Sequence, residues 1–187
     1  MTTSLKNKRV AFLATDGVEE IEYTEPRMAV ENAGGTAELV SLRPGTIQAM
    51  NHLDKSTTHT VEKQVKDASA DDYDALVLPG GVANPDFLRL DADAIRFIGD
   101  FFTAGKPVAA ICHAPWTLIE AGVVDGRTMT SWPSLRTDLA NAGATWVDEE
   151  VYTDRGLITS RKPDDLPAFC AALLKEIAEG SYALQNA

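Results

Sequence analysis

Val108-Ala109-Ala110-Ile111-Cys112-His113-Ala114-Pro115-Trp116 decides the fold and points to the chemistry. The four apolar residues from Val108 to Ile111 read as a buried strand. Pro115 then opens a helical pattern, Trp116-Thr117-Leu118-Ile119-Glu120-Ala121, which Gly122 closes. Proline at the first helical position and glycine just past the last are start and stop signals, because the ring presets φ and glycine accepts the left-handed cap. Cys112 therefore falls on the sharp turn between a strand and a helix N-terminus. Unpaired N–H groups and the positive end of the helix dipole favour an anion there. The expectation is a thiol with a pKa well below its ordinary value, acting as a nucleophile. His113, its neighbour, is the candidate base or acid, and Asp86 is a candidate to orient it.

Outward from this turn, strands and helices alternate. Short apolar runs at 10–14, 37–42, 75–78 and 157–160 read as further strands, with weaker ones at 128–131 and 145–147. Helical patterns fill 20–33, 94–104, 135–142 and a stretch from 164 to near Gly180. The polar segment 43–70 contains two alternating pieces, 47–49 and 60–62, that suit a small hairpin or edge strands. Continuous apolar strands alternating with helices imply a mostly parallel sheet covered on both faces. The chain, 187 residues without a visible linker or repeat, reads as a single domain, 1–187.

In such sheets ligands bind at the carboxyl ends of the strands. Four loops meet there: Asp16 to Glu22, Gly80-Gly81, Cys112-His113 and Ser131-Trp132. Glu19, Glu20 and Glu22 lie in a first helical turn, where carboxylates are ordinary on a solvated face, and Glu20 suits that bland role best. A carboxyl buried beside the sulfur would instead keep its proton and serve as an acid. The residues alone do not choose between Glu19 and Glu22. The N–H groups of Gly80, Gly81 and His113 are candidates for an oxyanion hole.

Other chemistries find little support. The net charge of −11 offers nothing to hold nucleic acid or an anionic membrane. No glycine-rich dinucleotide or phosphate loop is present. His52, His59 and His113 have no zinc spacing, so neither a metal nor a cofactor is expected. Cys170 sits in an apolar helical pattern and reads as a core thiol, and a Cys112–Cys170 disulfide is not expected. The polar start, followed by a five-residue apolar run, argues against a signal peptide. A reducing cytoplasm is the expected location.

Five pieces of the chain carry a resemblance. They are Asp16-Gly17-Val18-Glu19-Glu20-Ile21-Glu22, Leu78-Pro79-Gly80-Gly81, Ala110-Ile111-Cys112-His113-Ala114-Pro115, Thr130-Ser131-Trp132 and the run from Ile158 to Pro167. Together they resemble the DJ-1/PfpI superfamily, and within it the PfpI-like, YhbO-type branch of bacterial and archaeal stress proteins. The resemblance implies a flavodoxin-like α/β/α sandwich, similar to class I glutamine amidotransferases. It implies Cys112 as nucleophile and His113 as the histidine of a triad. It also implies Glu22 as the acid bonded to the cysteine, with Glu19 lining the site. The third triad member would be Asp86, reaching in from a neighbouring subunit of a homo-oligomer, a dimer or a hexamer. Ala114 and Trp132 stand in the pocket where the family often has glycine and tyrosine, so a catalytic phenol is lost.

The resemblance implies action on a small carbonyl or a peptide: glyoxalase or deglycase chemistry, or an intracellular peptidase. The competing class is a non-enzymatic oxidative-stress sensor or chaperone that works through Cys112 oxidation. Glutaminase activity is not expected, because no histidine follows His113.

Overall fold

The computed structural model describes residues 3–180. In chain order the elements are β1 (Arg9–Leu13), β2 (Val18–Glu19), α1 (Glu20–Asn32), β3 (Thr36–Ser41), β4 (Thr46–Asn51), β5 (Asp54–Thr60) and β6 (Lys63–Gln64). Then come β7 (Ala75–Leu78), α2 (Ala83–Leu88), α3 (Ala92–Thr103), β8 (Val108–Ile111), α4 (Pro115–Glu120), β9 (Thr128–Met129) and α5 (Arg136–Asn141). The chain closes with β10 (Thr145–Trp146), β11 (Val151–Asp154), β12 (Leu157–Ser160) and α6 (Leu166–Glu179).

Seven strands form the main sheet in the order β11-β12-β8-β7-β1-β3-β6. All neighbours in it are parallel except β11, which runs antiparallel to β12. The sheet is buried on both faces because its strand residues alternate between two apolar clusters. Leu13, Leu76, Leu78 and Ala110 pack with Phe97, Phe101 and Phe102 of α3. Phe12, Val77 and Ile111 pack on the other side with Tyr23 and Val30 of α1 and Phe169 and Leu173 of α6. This is the α/β sandwich that the alternation of elements predicts. Among the described residues no helix is long and apolar enough to cross a membrane.

The polar segment after β3 does form a hairpin, β4 with β5 antiparallel. It does not extend the main sheet. β4 instead pairs with the two-residue β2, Val18 against Ala49 and Glu19 against Met50. That pairing carries the hairpin turn to the start of α1, above the carboxyl ends of β7 and β8. Two expected strands differ. The one at 128–131 stops at Met129, because the Thr130 N–H donates to Thr159 Oγ1 (3.0 Å) and the Trp132 N–H to the Cys112 carbonyl (2.9 Å) in place of ladder bonds. β10 pairs only with β9, outside the main sheet. β11, Val-Tyr-Thr-Asp, carries too little apolar pattern to be seen in the sequence, and it forms the sheet's edge.

Candidate functional site

Cys112 has φ +62°, a conformation that few residues other than glycine adopt. The surrounding chain fixes it there. Its N–H donates to the Ser160 carbonyl at the end of β12 (3.1 Å), and its carbonyl accepts the Trp132 N–H. A left-handed non-glycine residue costs on the order of 1–3 kcal/mol and persists only where neighbours over-determine it. The consequence is geometric. Side chains of adjacent residues usually diverge, yet His113 Nδ1 lies 3.0 Å from Cys112 Sγ. Trp132 stacks on the His113 ring at 5.7 Å, and Trp116 packs against it at 5.3 Å, so the imidazole is held between indoles.

Of the three glutamates, Glu22 is the one buried against the thiol. It sits in the first turn of α1 with no exposed surface. The Gly80 N–H donates to its Oε2 at 3.0 Å. Gly80 has to lack a side chain. A Cβ there would meet the Glu22 carboxyl, the Cys112 Cβ at 2.6 Å and the Ile111 carbonyl at 2.8 Å. Burial pushes the Glu22 pKa up to about 8, and the negative charge of Glu19 adds to the push. Weaker pulls from the Cys112 thiol and the Gly80 and Gly81 N–H groups do not reverse it. At neutral pH the carboxyl therefore keeps its proton.

The low thiol pKa expected from the helix terminus is corrected by this setting. Burial pushes the Cys112 thiol up, and an ionised Glu22 would push it further. The N–H groups of Gly81 and His113 favour the thiolate, but they act against the larger cost of desolvation. α4 begins three residues beyond the sulfur and is only six residues long. Burial also depresses the His113 pKa, so the ring is neutral and can accept a proton.

Glu19 is buried too, yet it faces another task. Its carboxylate accepts the His52 N–H, at 3.1 Å to Oε2 and 3.4 Å to Oε1. It thereby ties the β4–β5 turn down over the site. Glu20 points away and holds Ser56 and Thr57 of β5. The cleft so formed has a volume of about 350 Å³. Its floor is Glu19, Glu22, Gly81, Cys112 and His113, and Met50, His52, Leu53, Val82, Trp132 and Pro163 form its walls.

Three expected site residues do not line the cleft of their own chain. Ala114 does not line the cleft. It starts α4, and its methyl joins the core cluster beneath the elbow. The Gly80 N–H is spent on Glu22, which leaves Gly81 and His113 as the backbone donors beside the sulfur. Asp86 lies in α2 and is not among the cleft residues. Its Oδ1 takes both Arg89 Nε (3.0 Å) and Nη2 (2.6 Å). Arg89 in turn lies over the Trp116 ring at 5.0 Å. Within one chain Asp86 is linked to His113 through Arg89 and Trp116, which packs on the His113 ring.

Sequence reasoning missed the walls Met50, His52, Leu53, Val82 and Pro163, because they come from segments far apart in the chain. It also missed Asn84. This buried side chain accepts the Thr15 N–H (2.8 Å) and donates to the Pro79 and Gly80 carbonyls (2.9 and 3.0 Å), which locks the Gly-Gly turn. The one available signal was Leu53, a lone leucine in a polar stretch.

The chain is similar to known proteins along most of its length. "Putative cysteine protease YraA" of Bacillus subtilis (strain 168) is 42% identical over 163 residues, 87% of this chain and 94% of that protein. "Protein/nucleic acid deglycase 2" of Escherichia coli (strain K12) is 40% identical over 164 residues, 87% of this chain and 94% of that protein. Among solved structures, a two-domain protein from Anabaena variabilis with DJ-1/ThiJ/PfpI-like and ferritin-like domains superposes with a TM-score of 0.88 at 31% identity. The match covers 96% of this chain and 51% of that longer one. The pattern of the DJ-1/PfpI family fits residues 8–176. With a match of that extent, and relatives at 40% identity along most of the chain, this protein belongs to the DJ-1/PfpI family.

Proposed function

We propose that this protein is a cysteine-dependent stress-protection enzyme of the cytoplasm that acts on reactive carbonyls or their glycation adducts. The observation that carries the reading is the placement of one sulfur between a neutral imidazole at 3.0 Å and a buried carboxyl that stays protonated up to a pH of about 8. A nucleophile, a proton acceptor and a proton donor are what addition to a carbonyl needs. The names of the relatives, a protease and a deglycase, support cysteine chemistry of this kind.

With a 2-oxoaldehyde, Sγ adds to the aldehyde carbon as the thiol proton passes to His113 Nδ1. The carbonyl oxygen takes the Glu22 proton. The product is a hemithioacetal beside an imidazolium and a carboxylate. Glu22 then removes the proton from the sulfur-bearing carbon, and the His113 imidazolium gives its proton to the neighbouring ketone oxygen, giving an enediol. Reprotonation at the second carbon and loss of the first hydroxyl proton leave a thioester. Water cleaves it to a 2-hydroxy acid and restores the thiol. The sum is aldehyde plus water to hydroxy acid, an internal redox change without an external oxidant. A glycation adduct enters the same sequence once its amine has left with a proton from the acid. We further assign Asp86 to the site of a neighbouring subunit in a homo-oligomer, a reading supported by the cleft of its own chain, which Asp86 does not line.

The test is a panel of methylglyoxal, a glycated peptide and casein, run on wild type and Cys112→Ala. Carbonyl turnover that Cys112→Ala abolishes is the expected result. Casein cleavage without carbonyl turnover would establish a peptidase instead. Protection against aggregation that survives Cys112→Ala, with no turnover at all, would establish a chaperone.

A further inference from the structure

Among the described residues, seven large hydrophobic side chains are exposed, and three of them stand on one rim. Leu53 is 94% exposed at the β4–β5 turn, Val82 is 58% exposed ahead of α2, and Trp132 is 37% exposed after β9. Isolated exposed leucines need no explanation, but apolar residues from three separate segments converging on the mouth of one cleft do. None of them contributes to the folding core through the exposed part of its surface. Met50 and Pro163 continue the same apolar wall inward. Among the described residues of one chain no lysine or arginine lines the cleft, whose only formal charges come from acids, Glu19 foremost. The Glu19 carboxylate is fixed there by the His52 N–H. An anionic ligand would meet that carboxylate in a desolvated space without a cation to offset it.

We propose that this rim selects uncharged 2-oxoaldehydes bearing an apolar substituent, with Leu53, Val82 and Trp132 as the specificity-determining residues. The inference rests on the carbonyl reading given above and names the substrate class for that same site. Carbonyls that carry a carboxylate or a phosphate are refused. An aryl or branched alkyl group leaves water for the wall, while the aldehyde carbon reaches Sγ. One or two buried carbons suffice for about a tenfold difference in kcat/KM.

Two measurements test this on the full-length protein. The first compares kcat/KM for phenylglyoxal, methylglyoxal and the anionic 2-oxoaldehyde 4-carboxyphenylglyoxal in wild type and in the double variant Leu53→Ser/Val82→Ser, whose altered side chains are both exposed. Wild type should favour phenylglyoxal over methylglyoxal by about tenfold or more, mainly through KM, and should turn 4-carboxyphenylglyoxal over least. The preference should shrink to within about threefold in the double variant. The second measurement needs no turnover. Alkylation rates of Cys112 by iodoacetanilide, iodoacetamide and iodoacetate, located by mass spectrometry, are divided by those of free glutathione. In wild type the aryl reagent should be enriched about tenfold and the anionic one depleted about tenfold; the double variant should lose the aryl enrichment and, with Glu19 in place, keep the anionic depletion. Turnover of methylglyoxal without an aryl preference, or a preference that survives in the double variant, overturns the proposal and leaves the enzyme reading standing. Absence of any carbonyl turnover, with alkylation still selective, overturns the enzyme reading and leaves apolar recognition by the rim supported. Unselective alkylation overturns the rim itself.

Discussion

His113 Nδ1 lies 3.0 Å from Cys112 Sγ although the two residues are adjacent in the chain. Extended or helical backbone would send the two side chains apart. The left-handed φ of Cys112 folds them to one side, and hydrogen bonds from β12 and from Trp132 hold the backbone there. The contact gives the thiol a proton acceptor that does not depend on prior ionisation. Because burial pushes the thiol up, ultraviolet thiolate absorbance of a Cys170→Ala protein should be absent at neutral pH and appear only on the alkaline side of an ordinary cysteine. Thiolate already present at neutral pH would mean that the N–H groups of Gly81 and His113 outweigh desolvation.

Glu22→Gln keeps the shape of the side chain and removes its proton for transfer. Carbonyl turnover should fall by about 10²-fold or more, the usual scale for losing a positioned acid. The pH profile should change as well. In wild type, activity should decline above about pH 8, where Glu22 loses its proton, and that limb should vanish in Glu22→Gln. Equal activity in the two proteins would transfer the acid role to another group.

The same shift acts on stability. A carboxyl whose folded pKa is raised contributes stability fully below its unfolded value, 4.5, and loses it as the pH climbs through about 8. Wild type should therefore lose thermal stability relative to Glu22→Gln between pH 5 and pH 9. Thermal unfolding of both proteins across that range reads the difference directly, and parallel curves would show that Glu22 titrates normally.

Glu19→Gln separates two effects of one carboxylate. Removing its charge should lower the Glu22 pKa and shift the alkaline limb of activity to lower pH. Weakening its hold on the His52 N–H should speed hydrogen exchange at that amide. An unchanged limb together with unchanged exchange would show that Glu19 neither charges the site nor pins the hairpin.

Gly80→Ala should fail for steric reasons. The new methyl would press on the Cys112 Cβ, the Ile111 carbonyl and the Glu22 carboxyl at once. Overpacking of this kind costs about 1–3 kcal/mol. Urea unfolding should show that loss, and turnover should fall further because Glu22 and Cys112 are moved apart.

Asp86 tests the assembly. Cys112→Ala and Asp86→Ala proteins, each expected to be inactive, should recover part of the activity when mixed under conditions that exchange subunits, provided the acid works in trans. No recovery despite proven exchange would confine Asp86 to its own chain, where it already neutralises Arg89.

The sequence by itself determined the alternating architecture and the elbow. Val108 to Ile111 is an apolar run of strand length, Pro115 is preset to open a helix, and Gly122 is suited to end it. Those are local effects of side-chain polarity and backbone freedom, so they are written in adjacent residues. The tertiary structure decided what depends on packing from a distance. Glu19, Glu20 and Glu22 are chemically alike and lie within four residues, yet only Glu22 meets the sulfur, because Gly80, 58 residues away, leaves the space for it. The thiol pKa follows the same rule: the helix terminus is visible in the sequence, while the desolvation that outweighs it arises only when α1, the Gly80-Gly81 turn and the β4–β5 hairpin close over Cys112. The apolar rim is invisible for the same reason. Leu53, Val82 and Trp132 lie far apart along the chain and become one surface only because β2 pairs with β4 and draws the hairpin over the ends of the parallel strands.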